Sequence, residues 1–438
     1  MLIDFLNHII ETKGFLHGIE RSAQVFMRYS FGRARFSEMM RELDQDLGSM
    51  GVKVTFCITA SLLESHYGFF ERFRDLGHEF AAHGYFHTNM KTRSLAEQKA
   101  LIRKSYNAFE KVKLRVYGFR CPYLSYNDDT LAALYKSPFV WTSNNVILWE
   151  EKLRSCRRSE EHLKKLTLLY NTSSPEVSIS VPAIKGKLID IPITAPDDEM
   201  LFERYRIKER AAISSIWQTI FRKIHSRGEL FHLLFHPERF KYFEASIKDV
   251  AAAARATRPR VWFATLNEIT AWWEKRRKST WKAEKTGDGW RVRLKCPREG
   301  TVLQKAVRGE CGGDLICGAY VPAKASLSEG AFIIDTDDVR KHTIQISKNC
   351  SPDVESFLAD EGFITSVVEY PHRNALFIDG YAKFAPRDRR LLLDVIDNSS
   401  YPLLRLWRWP HGAQSAFTVS SDVDSINVSD FFKRFIYF

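Results

Sequence analysis

The chain has 438 residues, of which 45% are hydrophobic and 27% are charged; this is the balance of a globular protein with two to three domains. Lys and Arg exceed Asp and Glu by 65 to 53, but the two signs interleave along the chain, so we expect no nucleic-acid partner. Seven Cys without a CxxC pair argue against a zinc ribbon or a disulfide framework. The chain contains no run of about 18 apolar residues, which a transmembrane helix would require, and no signal-peptide pattern. We therefore expect a cytoplasmic protein.

Residues 1–278 alternate short apolar runs with amphipathic helical stretches. The strand candidates are Gln24–Tyr29, Lys53–Thr59, Glu79–His83, Val116–Arg120, Leu188–Ile193 and Leu230–Phe235. The helix candidates are Phe36–Leu47, Tyr67–Leu76, Leu95–Val112, Asp128–Tyr135, Ala211–Arg227 and Asn267–Lys278. This alternation predicts an α/β domain built on a parallel sheet, either doubly wound or closed into a barrel.

The pattern changes after residue 278. Residues 279–350 contain short strands and turns without a long helix, which predicts a small β-rich module. Residues 351–438 predict an α/β segment, with a helix at Asp353–Asp360 and a strand at Ala416–Ser420 that runs into an acidic turn. We therefore expect three units, with boundaries near residues 278 and 350.

His83 and His87 form the strongest local signal for chemistry. Two imidazoles four residues apart share one face of a helix or wide turn, at a spacing that suits one metal ion. They follow a short predicted strand, and α/β barrels carry their active sites at the carboxyl ends of their strands. Because the chain has 13 His, the spacing alone would be weak evidence, and a coincidental surface pair would be the default interpretation.

Three ordered motifs give this pair a context. An apolar strand ending in Thr55-Phe56 is followed by a helix and by the run Gly77–His87. Arg120-Cys121-Pro122-Tyr123 comes next, and Leu233-Leu234-Phe235-His236 ends a later strand. In order and spacing, residues 20–275 resemble the polysaccharide deacetylases, the NodB-homology proteins of carbohydrate esterase family 4. The resemblance implies an incomplete (β/α) barrel of the polysaccharide-deacetylase type.

The resemblance also implies roles for these residues. His83 and His87 would be two ligands of a divalent metal, with Zn²⁺ as the expected ion and a carboxylate as the third ligand. A second carboxylate would be the general base, and His236 would protonate the leaving amine. Arg120 would orient that base, the Tyr123 backbone N–H would stabilise the oxyanion, and Pro122 would line the substrate site. Considered alone, Arg120 would be assigned to an ordinary ion pair and His236 to a buried core histidine; the shared order of the motifs favours the functional roles.

The sequence departs from the family at the acidic pair that normally opens the domain. The corresponding segment, residues 27–32, contains no carboxylate. An apolar strand running into Asp422-Val423-Asp424 at the other end of the chain is similar to the missing motif. This strand is either the stub of a truncated second domain or a strand that returns to the gap of the incomplete barrel and presents Asp422 as base and Asp424 as ligand. An acidic turn that caps a following helix is the alternative without function.

Asp197 and Asp198 follow another predicted strand and are the remaining carboxylates expected near the barrel opening. Substrate contact, replacement of the missing carboxylate and helix N-capping are all compatible with their position.

The sequence thus predicts a metal-dependent hydrolase that deacetylates N-acetylated carbohydrate with a metal-activated water. A catalytically inactive glycan-binding protein of the same fold is the first alternative, and a C–N hydrolase of a small non-sugar amide is the second.

Overall fold

The computed structural model describes residues 32–150, 172–306, 316–317, 319–328 and 330–431. The helices are α1 Gly32–Ser49, α2 Leu63–Asp75, α3 Leu95–Lys111, α4 Asp128–Tyr135, α5 Arg210–Ser226, α6 Phe240–Ala256, α7 Leu266–Arg276, α8 Pro352–Asp360 and α9 Pro386–Asn398. The strands up to residue 263 are β1 Val54–Ile58, β2 Glu79–Ala82, β3 Gly118–Phe119, β4 Trp141–Thr142, β5 Val146–Leu148, β6 Thr172–Ser173, β7 Ala183–Lys185, β8 Leu188–Asp190, β9 Ile193–Ala195, β10 Leu230–Phe235 and β11 Val261–Phe263. Those that follow are β12 Thr280–Thr286, β13 Gly289–Lys295, β14 Val302–Lys305, β15 Tyr320–Pro322, β16 Ser326–Ser328, β17 Ala331–Thr336, β18 Thr343–Ser347, β19 Ile364–Val368, β20 Leu376–Ile378, β21 Leu404–Leu406 and β22 Ser415–Val423.

The main sheet has the strand order β10-β22-β1-β2-β3-β4-β8-β7, and β11 also pairs with β22. Its strands pair in parallel except for the antiparallel hairpin of β7 and β8. The sheet curls into an incomplete (β/α) barrel, as predicted, and additional β-rich sheets follow. The predicted strand Gln24–Tyr29 lies outside the described residues. Among the described residues, no helix has the length and apolar character needed to cross a bilayer.

The C-terminal strand β22 lies between β1 and β10. Cys57 pairs with Asp422 on one side, and Phe235 pairs with Ser421 on the other. All nine residues of β22 are buried. Phe417 and Val419 pack into the hydrophobic core beneath the helices, and the alternate positions Thr418 and Ser420 carry small polar side chains. The prediction that this strand returns to the barrel is confirmed.

The predicted strand Leu188–Ile193 is divided into two. β8 pairs with β4 in the main sheet, whereas β9 pairs with β5 in a separate sheet of three strands. Pro192, between them, lacks the N–H that a continuous ladder requires. The division turns the chain toward Asp197 and Asp198.

The segment after α7 contains three sheets, with the strand orders β12-β13-β17-β16, β15-β14-β21 and β19-β18-β20. The strand pairing does not divide at residue 350, where the sequence placed a boundary. β14 and β18 precede that residue and pair with β21 and β19, which follow it. These long-range pairings leave no signal in the local pattern of the sequence.

A buried charge cluster fixes the segment that leads into β22. The Glu361 carboxylate accepts hydrogen bonds from Arg405 and from Arg408, whose Nε lies 2.9 Å away. Arg276 at the end of α7 donates to the carbonyl oxygens of Leu406 at 2.9 Å and Trp407 at 3.0 Å. The cluster therefore ties β21 to the barrel shortly before the chain enters β22.

Candidate active site

His83 and His87 lie on a turn that follows β2. The His83 N–H donates to the Ile58 carbonyl at 2.8 Å, so the end of β1 holds the turn. His83 Nδ1 lies 3.1 Å from the Arg120 carbonyl, which leaves Nε2 facing the other charged groups. Gly84 has a φ of +72°, and a Cβ there would come within 3.0 Å of the Pro122 ring, so glycine permits this close approach. Both imidazoles are buried.

Asp424 lies directly after β22 and faces both histidines. Its two carboxylate oxygens are 3.5 Å from His83 Nε2 and 3.3 Å from His87 Nε2. Among the described residues, one ligand atom from each of these three side chains falls within 4.8 Å of the others. The paired strands thus bring together the two groups that the sequence separates.

This donor set fits a divalent metal. Two ligands of a tetrahedral Zn²⁺ ion with bonds of about 2.1 Å lie about 3.4 Å apart. The separations are close to that value, with His83 Nε2 3.5 Å from Asp424 Oδ1 and His87 Nε2 3.3 Å from the other oxygen, Oδ2. Two imidazoles and one carboxylate are also a ligand set that catalytic zinc proteins use, and they leave coordination positions for water and substrate.

Asp422 lies two residues earlier, beside Arg120. The Arg120 Nη1 donates to Asp422 Oδ1 at 2.7 Å, and both side chains are buried. Asp422 Oδ2 lies 3.8 Å from His83 Nε2. One carboxylate oxygen is therefore held by the guanidinium while the other faces the candidate metal ligands.

His236 follows β10 at the same level as Asp422 in the neighbouring strand, because Phe235 pairs with Ser421. Its Nδ1 lies 2.8 Å from Asp198 Oδ1, and its backbone N–H donates to Asp198 Oδ2, also at 2.8 Å. Burial disfavours the charged imidazole, but the adjacent Asp198 carboxylate outweighs this and holds the pKa of His236 well above its usual range.

Asp197 and Asp198 make internal contacts. Asp197 Oδ1 accepts the Met200 N–H at 2.8 Å, as a helix N-cap does. Burial, together with the charges of Asp198 and Glu199, raises the pKa of Asp197 to about 7. Both aspartates are buried, Asp198 completely, so the geometry favours capping and support of His236 over substrate contact.

Tyr123 and Pro122 lie beside the turn that carries His83 and His87. The Tyr123 ring lies 4.3 Å, between centroids, from the His87 ring, and its side chain is 46% exposed. Tyr123 and Leu124 both have positive φ, at 59° and 53°. Non-glycine residues in this region are strained by roughly 1–3 kcal/mol each, and such strain is concentrated at functional sites.

Three polar residues near Arg120 were not predicted. Ser143 and Ser420 accept hydrogen bonds from the guanidinium at 2.9 Å each, and His232 Nε2 lies 3.3 Å from Nη2. No motif marks them, because His232 and Ser420 lie on strands, and Ser143 directly follows one, whose neighbours are known only from the fold. The sole sequence signal is a polar residue in a buried apolar strand, as His232 is in β10.

The fold and the cluster together define an incomplete (β/α) barrel protein with a candidate metal centre at the carboxyl ends of its strands. Residues 28–140 match the sequence model of the family described as Polysaccharide deacetylase. Over these residues the chain is similar to the polysaccharide deacetylase family. The match includes His83, His87 and Arg120, whereas Asp422 and Asp424 lie outside it.

Several solved structures are similar to the chain. A protein described as a polysaccharide deacetylase from Mycobacterium smegmatis is 18% identical, with a TM-score of 0.41 over 53% of this chain and 76% of that one. One from Pseudomonas aeruginosa PAO1 is 13% identical, with a TM-score of 0.43 over 55% and 74%. The Puue allantoinase is 12% identical, with a TM-score of 0.43 over 54% and 72%. No curated protein matches the chain.

Proposed function

We propose that this protein is a metal-dependent hydrolase that removes acetyl groups from N-acetylated carbohydrate. The proposal rests on one observation: the buried ligand set His83, His87 and Asp424 lies beside a carboxylate, Asp422, that Arg120 holds. His236 directly follows the neighbouring strand, β10. The family of residues 28–140 supports the choice of an acetylated sugar as substrate.

The chain's own residues divide the proton transfers between them. A Zn²⁺ ion bound by the three ligands would polarise the acetamide carbonyl and lower the pKa of a bound water. Asp422 accepts the proton of the attacking water through the oxygen that Arg120 leaves available. His236, kept protonated by Asp198, donates a proton to the amine as the C–N bond breaks. The products are acetate and a free amino sugar.

Arg120 and Tyr123 act without exchanging protons. Arg120 orients Asp422, because its Nη1 donates a hydrogen bond to Oδ1 at 2.7 Å and leaves Oδ2 facing the candidate metal ligands. The backbone N–H of Tyr123 is our candidate donor to the oxyanion, since the left-handed conformation of this residue presents the strained turn beside His87. Its exposed ring borders the opening through which a sugar would enter.

The test is acetate release from tetra-N-acetylchitotetraose by the full chain loaded with Zn²⁺, beside the Asp422→Asn variant. We expect the variant to bind zinc as the wild type does and to lose about a thousandfold in kcat, because the general base is gone while the ligands remain. Asp335→Asn, an exposed carboxamide substitution far along the chain, is the control and should leave both properties unchanged.

The outcomes separate the alternatives. Stoichiometric zinc without acetate release from any acetylated sugar would contradict the proposal and favour an inactive glycan-binding protein. Turnover of a small ureide such as allantoin, without acetate release from sugars, would favour the C–N hydrolase of a non-sugar amide.

A further inference from the structure

The Arg120 guanidinium has all five of its N–H groups directed at acceptors. Nε donates to the Ser143 carbonyl at 3.1 Å and Nη2 to Ser143 Oγ at 2.9 Å. Nη1 donates to Ser420 Oγ at 2.9 Å and to Asp422 Oδ1 at 2.7 Å. The remaining N–H, on Nη2, points at His232 Nε2 at 3.3 Å. Because four of these N–H groups are hydrogen-bonded and the fifth faces His232, the completely buried guanidinium directs no donor at the substrate, so its role is to hold Asp422.

His232 sets the direction of this hydrogen-bond network. Its Nδ1 lies 2.9 Å from the Pro192 carbonyl, which can only accept, so Nδ1 carries the proton and Nε2 is an acceptor. Ser420 Oγ lies 2.7 Å from Nε2 and therefore donates its proton to it. The lone pairs of the Ser420 hydroxyl then remain for Arg120 Nη1. The Pro192 carbonyl thus fixes the tautomer of His232 and the direction of its hydrogen bond with Ser420.

The charge state of His232 agrees with this geometry. Its side chain is completely buried, and burial together with the adjacent Arg120 charge holds the pKa of His232 well below its usual range. In the neutral imidazole, the single lone pair of Nε2 accepts the Ser420 proton and faces the more distant Arg120 Nη2, whereas an imidazolium would repel the guanidinium.

We propose that His232 is a positioning residue for the general base, acting through Ser420 and Arg120 to fix the carboxylate of Asp422. This inference rests on the proposed function, since it deepens the account of that same site. It assigns a role to a side chain that touches neither the candidate metal ligands nor the substrate.

The chain offers a matched control at the other end of β22. His225 Nδ1 lies 2.7 Å from Ser415 Oγ, so a second buried histidine pairs with a serine of the same strand at the same distance as His232 does. Ser415 begins β22, whereas Ser420 lies close to the end that carries Asp422. A purely structural His–Ser contact should have the same effect at either place.

The first experiment compares His232→Leu with His225→Leu in the zinc-loaded full chain, using tetra-N-acetylchitotetraose. We expect His232→Leu to lower kcat about 10- to 100-fold, the usual effect of removing an outer partner of a site, with KM within about twofold. Zinc stoichiometry should not change. His225→Leu should leave kcat within about twofold, and His232→Gln, which keeps an acceptor oxygen, should recover part of the loss.

The second experiment is a double-mutant cycle with Ser420→Ala. Because both residues act through the same hydrogen-bond network, the double variant should be no slower than the slower single variant. Multiplicative losses, or equal losses of kcat in the two histidine variants, would overturn the inference.

A crystal structure of His232→Leu separates this inference from the proposed function. The Arg120 guanidinium should turn away from Asp422 Oδ1, whether or not the wild type releases acetate. An inactive wild type with a displaced Arg120 would contradict the proposed function alone. An undisplaced Arg120 would overturn the positioning role, whatever the activity.

Discussion

The turn that carries His83 and His87 and the strand end that carries Asp422 and Asp424 supply the two halves of the candidate site by different means. The histidines belong to one turn, and their spacing in the sequence already places them together. The aspartates reach the site only because β22 pairs with β1 and β10. Arg120 and Asp422 are hydrogen-bonded although they are 302 positions apart in the sequence.

The difference shows how a barrel can take one motif from the far end of its chain. A strand in a parallel sheet needs neighbours, a register and a polar residue at its carboxyl end, and none of these depends on the position of the strand in the sequence. The site consequently depends on long-range strand pairing. The Glu361 cluster supports this pairing, because it fixes the segment that precedes β22.

The largest expected effect comes from ending the chain at Trp409. Removal of β22 would leave β1 and β10 without their shared neighbour and would expose apolar core, so we expect loss of cooperative unfolding and of zinc binding. Thermal unfolding and zinc titration measure both. A truncated chain that unfolds cooperatively and binds zinc like the full chain would show that the C-terminal strand is not part of the site.

Loss of a ligand from the histidine turn and loss of the ligand after β22 should weaken zinc affinity to a similar extent. His83→Ala and Asp424→Ala should each weaken zinc binding by at least about a hundredfold, since even the loss of an outer partner costs about 10- to 100-fold. Competition with a chelating dye gives the affinities, and Asp335→Ala is the exposed control. If Asp424→Ala bound zinc as tightly as the wild type, the third ligand would have to be sought elsewhere.

The pH dependence of kcat should distinguish the general acid, His236, from the general base, Asp422. Because Asp198 raises the pKa of His236 against the effect of burial, Asp198→Asn should lower it, and the acid would then lose its proton at lower pH. We expect the alkaline limb of the kcat profile to move to lower pH and kcat to fall about 10- to 100-fold. An unmoved alkaline limb would argue that His236 is not the acid.

The smallest expected effect concerns Glu79, at the start of the strand that leads to His83, and it is an effect on stability rather than on the site. Burial raises the pKa of Glu79 to about 7, against hydrogen bonds from Thr55 Oγ1 at 2.6 Å and the Asn267 N–H at 2.9 Å. A carboxyl whose pKa is raised on folding stabilises the fold at low pH and loses that contribution as pH rises through the folded pKa. The free energy of unfolding should therefore fall by up to about 3 kcal/mol between pH 4.5 and 7.

Glu79→Gln should remove this dependence, because an amide accepts the same hydrogen bonds without ionising. Denaturant unfolding at several pH values measures it, and zinc affinity at neutral pH should stay at the wild-type value. Parallel pH profiles for the two proteins would contradict the assignment.

The sequence by itself determined the parts that depend on local spacing. Alternating strands and helices predicted the barrel, the turn predicted the His83–His87 pair, and an apolar strand before Asp422 predicted a buried strand. The division of Leu188–Ile193 was missed, because an apolar run does not reveal which sheet each half joins.

Only the tertiary structure decided which distant groups meet. It placed β22 in the gap, joined segments on both sides of residue 350, and added His232, Ser143 and Ser420 around Arg120. The physical reason is that register between non-adjacent strands is set by packing and hydrogen bonds across the sheet, which leave no periodic signal along the chain.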